Sequence, residues 1–370
     1  MVRNEWRIWL AILGLIALFF TEHDLLAAGQ AVSLAVTAAI VVVIVMVSTR
    51  VAHHAEEIAR KVRDPYGSMV LTLSAVLVEV VILGIVMQAE DASPTLVRDT
   101  IYSAVMLDIN GLIGLAALLG GLRHGEQSYN DDSGRTYAVM ILTAMGISMI
   151  VPEFIPNDKR MIYSFFTIGV MAVLYALFLR MQVGRHSYFF SYTYPRGERA
   201  GAPRAVAQEA ASEEHADDGG SFFIAAIIVG GGVVLIGLLA EVMNPFMSAG
   251  LKNSGAPVGL VAVTVAAISA APEILTALRA ALGNRMQVVV NIAMGASLST
   301  VILTVPVMEA LAIYTGQPFV MAMTVPQTVM VAITIVVAAI NFSDGETNAI
   351  EGMTHFVLFA TFAMLTIMGL

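Results

Sequence analysis

The sequence predicts an all-α integral membrane protein of about eleven transmembrane helices, arranged as one plus five plus five with two inverted-topology repeats. Three observations carry that prediction. The 370-residue chain is 58% hydrophobic and only 13% charged, against about 25% charged in an ordinary soluble domain, and its mean hydropathy is +0.81. Apolar runs approaching the roughly 20 residues needed for one helical crossing recur from end to end. Two glutamates, Glu79 and Glu273, stand alone inside such runs, 194 positions apart.

The runs fall near 6–21, 31–50, 67–88, 98–121, 136–152, 161–181, 221–243, 256–281, 286–308, 318–341 and 353–370. The first is flanked by Arg3 and Arg7 in the manner of a signal peptide, but no small-residue cleavage site follows it, so it counts as a span. Cytoplasmic loops carry the excess of lysine and arginine. With the N-terminus inside, fifteen of the nineteen such residues fall on the cytoplasmic side, and only Arg98, Lys159, Arg160 and Lys252 fall outside. That bias predicts an odd number of spans and an external C-terminus.

Five spans then precede the longest polar segment and five follow it, and an odd number of crossings per half turns the halves over relative to each other. The expected division is a first helix and external loop at 1–30, repeats at 31–181 and 221–370, and a cytoplasmic linker at 182–220. The 194-residue spacing of the glutamates is close to the offset between the second and seventh spans. Each glutamate is also followed one span later by Asn-x-x-x-Gly, at Asn110 to Gly114 and at Asn291 to Gly295. Those separations, 31 and 18 residues, differ, and the polar insert from Ala89 to Thr100 is the expected reason. Inverted repeats with a midplane site between them are the plan of many secondary transporters.

A carboxylate in hydrocarbon costs several kcal/mol unless it is protonated, paired or bound to a cation. Thr72 and Ser74 precede Glu79; Thr264, Ser269 and Pro272 precede Glu273. Proline at 272 frees a backbone carbonyl about a turn earlier. If the repeat brings the two acids together, one divalent cation or two protons neutralise them, and mutual exclusion of those occupants couples their transport. A hard cation such as calcium takes about six to eight oxygens, so Asn110, Asn291, Ser297, backbone carbonyls and water are expected to complete the shell. Gly295, Ala296, Ser297 and Ser299 are small enough for close helix packing. The alternative for each glutamate is a protonated packing residue. Asp108, whose counterpart in the second half is Val289, reads equally as an accessory proton site or as the lining of a water-filled vestibule. Glu90, Asp91, Glu241 and Glu309 lie at span ends, where exposure to water is the expectation.

The linker is aromatic and basic at His186 to Tyr194 and acidic from Gln208 to Asp218. There Glu209, Glu213 and Asp217 recur at helical spacing, with Glu214 and Asp218 beside them. The stripe is a candidate calcium-responsive segment, and a solvated linker is the plainer reading. Asp344 to Asn348 reads as a tight turn and helix start, with His355 in the following span. The chain has no cysteine, hence no disulfide and no thiolate metal site. His53, His54, His124 and His186 have no zinc spacing. No nucleotide loop or nucleophile elbow is present, so an ion gradient is the expected energy source, no cofactor is expected, and the chain reads as a transporter rather than an enzyme. The expected partners are the lipid bilayer, inorganic cations and protons; nucleic acid is not among them, and the oligomeric state, a homo-oligomer included, stays open.

Over nearly its whole length the chain resembles the calcium/proton exchanger family of the cation/calcium antiporter superfamily, on its bacterial ChaA-type branch. The likeness rests on the residues around Glu79, on Ser93-Pro-Thr-Leu-Val-Arg-Asp99, on Asn110-Gly followed by Leu118-Leu-Gly-Gly-Leu-Arg123, on Ala271-Pro-Glu-Ile-Leu-Thr-Ala-Leu-Arg-Ala280 with Asn291 to Ser299, and on Gly345-Glu-Thr-Asn. The resemblance implies an acidic cytoplasmic segment between the repeats. It also implies that Glu79 and Glu273 are the repeat-motif glutamates that hold cation and proton in turn, as the protein rocks between inward-open and outward-open states. The wider family usually has Asn three residues before each glutamate; this chain has Val76 and Ala270. Calcium export against proton entry in a bacterial inner membrane is the leading expectation. A sodium or potassium/proton antiporter using the same acids is its rival, and a cation channel is a more distant one.

Overall fold

Helices follow from the apolar runs, because a backbone in lipid must satisfy its own polar groups. The computed structural model describes residues 5–62, 66–88, 93–183, 222–251, 255, 257 and 259–370. Eleven helices form its body: α1 Trp6–Ala27, α2 Gln30–Val62, α3 Tyr66–Val86, α4 Leu96–His124, α5 Asp131–Phe154, α6 Arg160–Val183, α7 Phe222–Leu251, α8 Gly259–Leu282, α9 Met286–Thr315, α10 Val325–Asn341 and α11 Ala349–Ile367. Among the described residues, nine segments are long and apolar enough to cross a membrane, and the shorter apolar helices Thr72–Val86 and Val325–Asn341 complete the set. The linker residues Glu209, Glu213, Glu214, Asp217 and Asp218 lie outside the described residues, as do Glu90 and Asp91.

The repeat is visible in where the helices begin. The first residues of α2 to α6 precede those of α7 to α11 by 192, 193, 190, 194 and 189 positions in turn. Both α4 and α9 widen into a π-helical stretch at the corresponding depth, Leu107–Leu112 and Thr300–Thr304. Such π-bulges frequently mark functional sites. The offset corrects one expectation. Asn110 is the fifteenth residue of α4 and Asn291 the sixth of α9, a difference of nine residues, or about 13 Å of helix. The two Asn-x-x-x-Gly motifs are therefore not repeat equivalents, and the insert before α4 accounts for only part of their unequal spacing.

Two further departures have local causes. The tenth span starts at Val325 rather than near 318, because Thr324 and Gln327 form a capping box there with Pro326 in the first turn. The turn before the last helix is not purely helical either. Glu346–Thr347 (β2) pairs antiparallel with Gln127–Ser128 (β1), so the described fold is helical apart from this two-stranded bridge. Asn348 then caps α11, its side chain accepting from the backbone N–H groups of Ile350 and Glu351.

Packing divides the molecule. α2 lies along α7 over most of its length, with α1 against both. α11 lies on α4 so closely that a Cβ on Gly121 would stand 2.3 Å from the Ala349 nitrogen, and one on Gly352 would stand 2.2 Å from the Leu118 nitrogen.

Candidate functional site

Glu79 sits two-thirds along α3 and Glu273 a little past the middle of α8, at repeat-equivalent depths. Both line one cavity of about 590 Å³. The cavity runs from Ala52, Ala55 and Glu56 at the end of α2, Thr72 at the start of α3, Thr276 near the end of α8 and Val288 at the start of α9. It reaches inward to Glu79, Asp108, Glu273 and Thr300. These entrance positions lie at one end of the bundle. The opposite end is tied shut by polar contacts between the halves. There Arg98 donates to Asp99 and to the Ala322 carbonyl, Gln327 donates to Asp99 at 2.9 Å, and the Val320 amide donates to the Pro94 carbonyl.

Glu79 is 3% exposed. One carboxyl oxygen accepts from the Thr300 hydroxyl at 2.8 Å and from the Thr304 hydroxyl at 3.1 Å, so the π-stretch of the second half grips the acid of the first. Its other oxygen has no protein partner. Glu273 is half-buried against the cavity, and its helix packs on the π-stretch of α4, the first half's counterpart. Asp108 belongs to that stretch. It lines the cavity, accepts from Ser297 Oγ at 3.1 Å, and leaves its second oxygen unpartnered. Glu79, Glu273 and Asp108 lie within electrostatic reach of one another. In a low-dielectric interior such a group holds its charges only with a compensating cation or protons.

The other expected ligands separate into two groups. Asn291 lines the cavity, with its side-chain oxygen accepting from Gln287 at 2.9 Å. Asn110 does not line it: its amide donates to Thr334 at 2.7 Å and its oxygen faces His355 Nδ1 at 3.0 Å, between α4, α10 and α11. Ser297 is fully buried behind the cavity wall and reaches it only through Asp108. Thr300 and Thr304 escaped the sequence reading, although carrying the 194-residue offset from Asp108 to the second half would have pointed to that turn of α9. Among the described residues no three His, Cys, Asp or Glu side chains are grouped to hold a metal ion. A cation here would therefore draw on hydroxyls, carbonyls and water beside the carboxylates. Glu309 corrects another expectation. It is 3% exposed rather than open to water, because α6 covers it and Ser164 donates to it at 3.2 Å.

Two membrane acids, one from each repeat, thus line one cavity between helices long and apolar enough to cross a bilayer. The chain belongs to the sodium/calcium exchanger protein family, whose pattern matches residues 32–184 and 224–368. It is 31% identical over 320 residues to the sodium-potassium/proton antiporter ChaA of Escherichia coli, covering 85% of this chain and 84% of that protein. Its fold matches the solved structure of native YfkE with a TM-score of 0.72 at 18% identity, covering 94% of this chain and 99% of the other. It also matches that of the H+/Ca2+ exchanger CAX with a TM-score of 0.68 at 14% identity, covering 98% and 88%.

Proposed function

We propose that the protein is a cation/proton antiporter of a bacterial inner membrane, exporting calcium from the cytoplasm against entering protons by alternating access at Glu79 and Glu273. One observation carries the reading: acids from repeat-related helices share a single cavity that is sealed at its far end. With the N-terminus cytoplasmic and the C-terminus external, as the lysine and arginine distribution indicates, the open end faces the cytoplasm and the state is inward-open. A cation entering from that side meets Glu79, Glu273 and Asn291, with Asp108 behind them. Protons arriving from outside neutralise the same carboxylates and release it. The site must hold one occupant or the other whenever it is closed off from water, because two bare carboxylates then repel and are poorly solvated. Residues 31–181 and 221–370 act as the two repeats, and the acidic stripe at 209–218 in the linker between them is a candidate calcium-responsive segment beside the plainer reading of a solvated connector.

A second reading, sodium or potassium for protons, is favoured by Val76 and Ala270, which remove two side-chain oxygens a turn before the acids, and by the name of the Escherichia coli relative. Proteoliposomes holding a proton gradient and a pH-sensitive dye separate the two. Calcium, sodium and potassium are added one at a time across pH, and the transported ion collapses the gradient. A flux indifferent to the imposed pH gradient would instead mean a channel.

A further inference from the structure

Glu309 is a further intramembrane acid, away from the cavity and without a role in the exchange just described. It lies on the outer part of α9, five residues beyond Thr304, or about 7 Å further along the helix at 1.5 Å per residue. Thr304 is one of the two hydroxyls that hold Glu79. The cavity ends at the level of Thr300, so Glu309 stands on the far side of the site from the opening. Its surroundings are spare. Ser164 of α6 donates to one oxygen at 3.2 Å, and the other oxygen is buried with no partner. Tyr163 is within electrostatic reach, but its hydroxyl is spent on the Ile147 carbonyl at 2.7 Å. Two residues further out on the same helix, Leu311 rests against Gly84, a little over one turn past Glu79 on α3. A carboxyl so placed persists in a membrane only when it carries a proton, and intramembrane acids of this kind mark proton pathways.

We propose that Glu309 is an outer proton-relay site, separate from the cation site, through which protons reach Glu79. The inference rests on the proton-coupled reading given above. In the closed outer end Glu309 holds a proton as the neutral acid. When that end opens and admits water, Glu309 gives its proton through that water to the Glu79 carboxylate as the cation leaves. The Glu309 carboxylate is then reprotonated from the outer solution. Cations need no such stop, so the outer paths for proton and metal differ.

The test compares two fluxes in the same proteoliposomes: proton-coupled uptake, and exchange of labelled for unlabelled cation at equal pH on both sides, which moves no net protons. For Glu309→Gln, which keeps the shape and an acceptor for Ser164, the expectation is a loss of proton-coupled flux of roughly a hundredfold, the scale of a removed proton-transfer group. Cation-for-cation exchange should fall far less. Glu309→Asp should restore part of the coupled flux. Equal loss of both fluxes, with Glu309→Asp no better, would make the residue structural and overturn the proposal, as would undiminished coupled flux. A wild-type protein with cation exchange but no proton-coupled flux would instead overturn the antiport reading itself.

Discussion

At the scale of single residues, the acids that bind are distinct from the groups that hold them. Glu79→Gln and Glu273→Gln each leave a neutral side chain of the same shape, so each should abolish coupled exchange while the protein still inserts and elutes as wild type from size-exclusion chromatography. Thr300 and Thr304 hold Glu79 from the opposite repeat. Hydrogen bonds to a charged group are worth about 1.5–3 kcal/mol, so Thr300→Val should weaken apparent cation affinity by roughly tenfold or more, read as the half-saturating cation concentration. Reading the sequence singled out Glu79 and Glu273 because a lone glutamate in an apolar run is costly whatever the fold around it. The threonines were hidden by the opposite logic: a hydroxyl in a membrane helix can satisfy itself on a carbonyl one turn back, as Thr264 does, so its presence alone signals nothing. Asn110 shows the same limit, since its partners Thr334 and His355 come from α10 and α11, more than two hundred residues away.

At the scale of elements, the closest approach is between α4 and α11. The Cβ of Gly121→Ala or Gly352→Ala would meet backbone atoms, which cannot turn aside as a side chain can. Overpacking of this kind costs typically about 1–3 kcal/mol, so both variants should melt earlier in detergent, whereas Gly230→Ala, with open space around it, should not. The start of α1 and the end of α2 are joined differently. Glu5 is bound by Arg50 and His54, and His54 Nδ1 also meets Glu57 at 2.9 Å. Partial burial pushes the Glu5 carboxyl up, but the hydrogen bonds and charges of Arg50 and His54 outweigh it and hold the group below its ordinary value of 4.5. A lowered value stabilises the folded state above the ordinary carboxylate range and stops doing so as pH falls through it. Acid titration of the melting temperature should therefore show a loss below about pH 4.5 that Glu5→Gln lacks. Helix number was legible in the sequence because hydropathy alone counts spans. The start of α10 and the β1–β2 bridge were not, since a capping box and a two-residue pairing change local hydrogen bonds without changing apolar content.

At the scale of the whole molecule, the halves are riveted at the far end through Arg98, Asp99 and Gln327, while α7, none of whose residues lines the cavity, packs on α2 and α3 largely through apolar side chains. A Cβ on Gly237 of α7, for example, would meet the Val81 and Ile85 side chains of α3. The absence of native cysteine makes access measurable: Ser269→Cys, in the cavity wall one turn before Glu273, should react with a membrane-impermeant thiol reagent from the cytoplasmic side and be protected by the transported cation. Labelling confined to the outer side would reverse the assigned orientation. The repeat was legible from the glutamate spacing, and helix starts offset by 189 to 194 residues bear it out. The asymmetry laid over it, Asp108 in one half and Glu309 in the other, required three-dimensional neighbours to interpret. The central claim is that Glu79 and Glu273 trade protons for metal, and binding a cation to a protonated site releases protons. The direct measurement is proton release from purified protein in weakly buffered detergent near neutral pH as calcium, sodium or potassium is added. The account predicts about one to two protons released per cation bound, with less from Glu79→Gln and Glu273→Gln; saturable cation binding by the wild type with no proton release would contradict it.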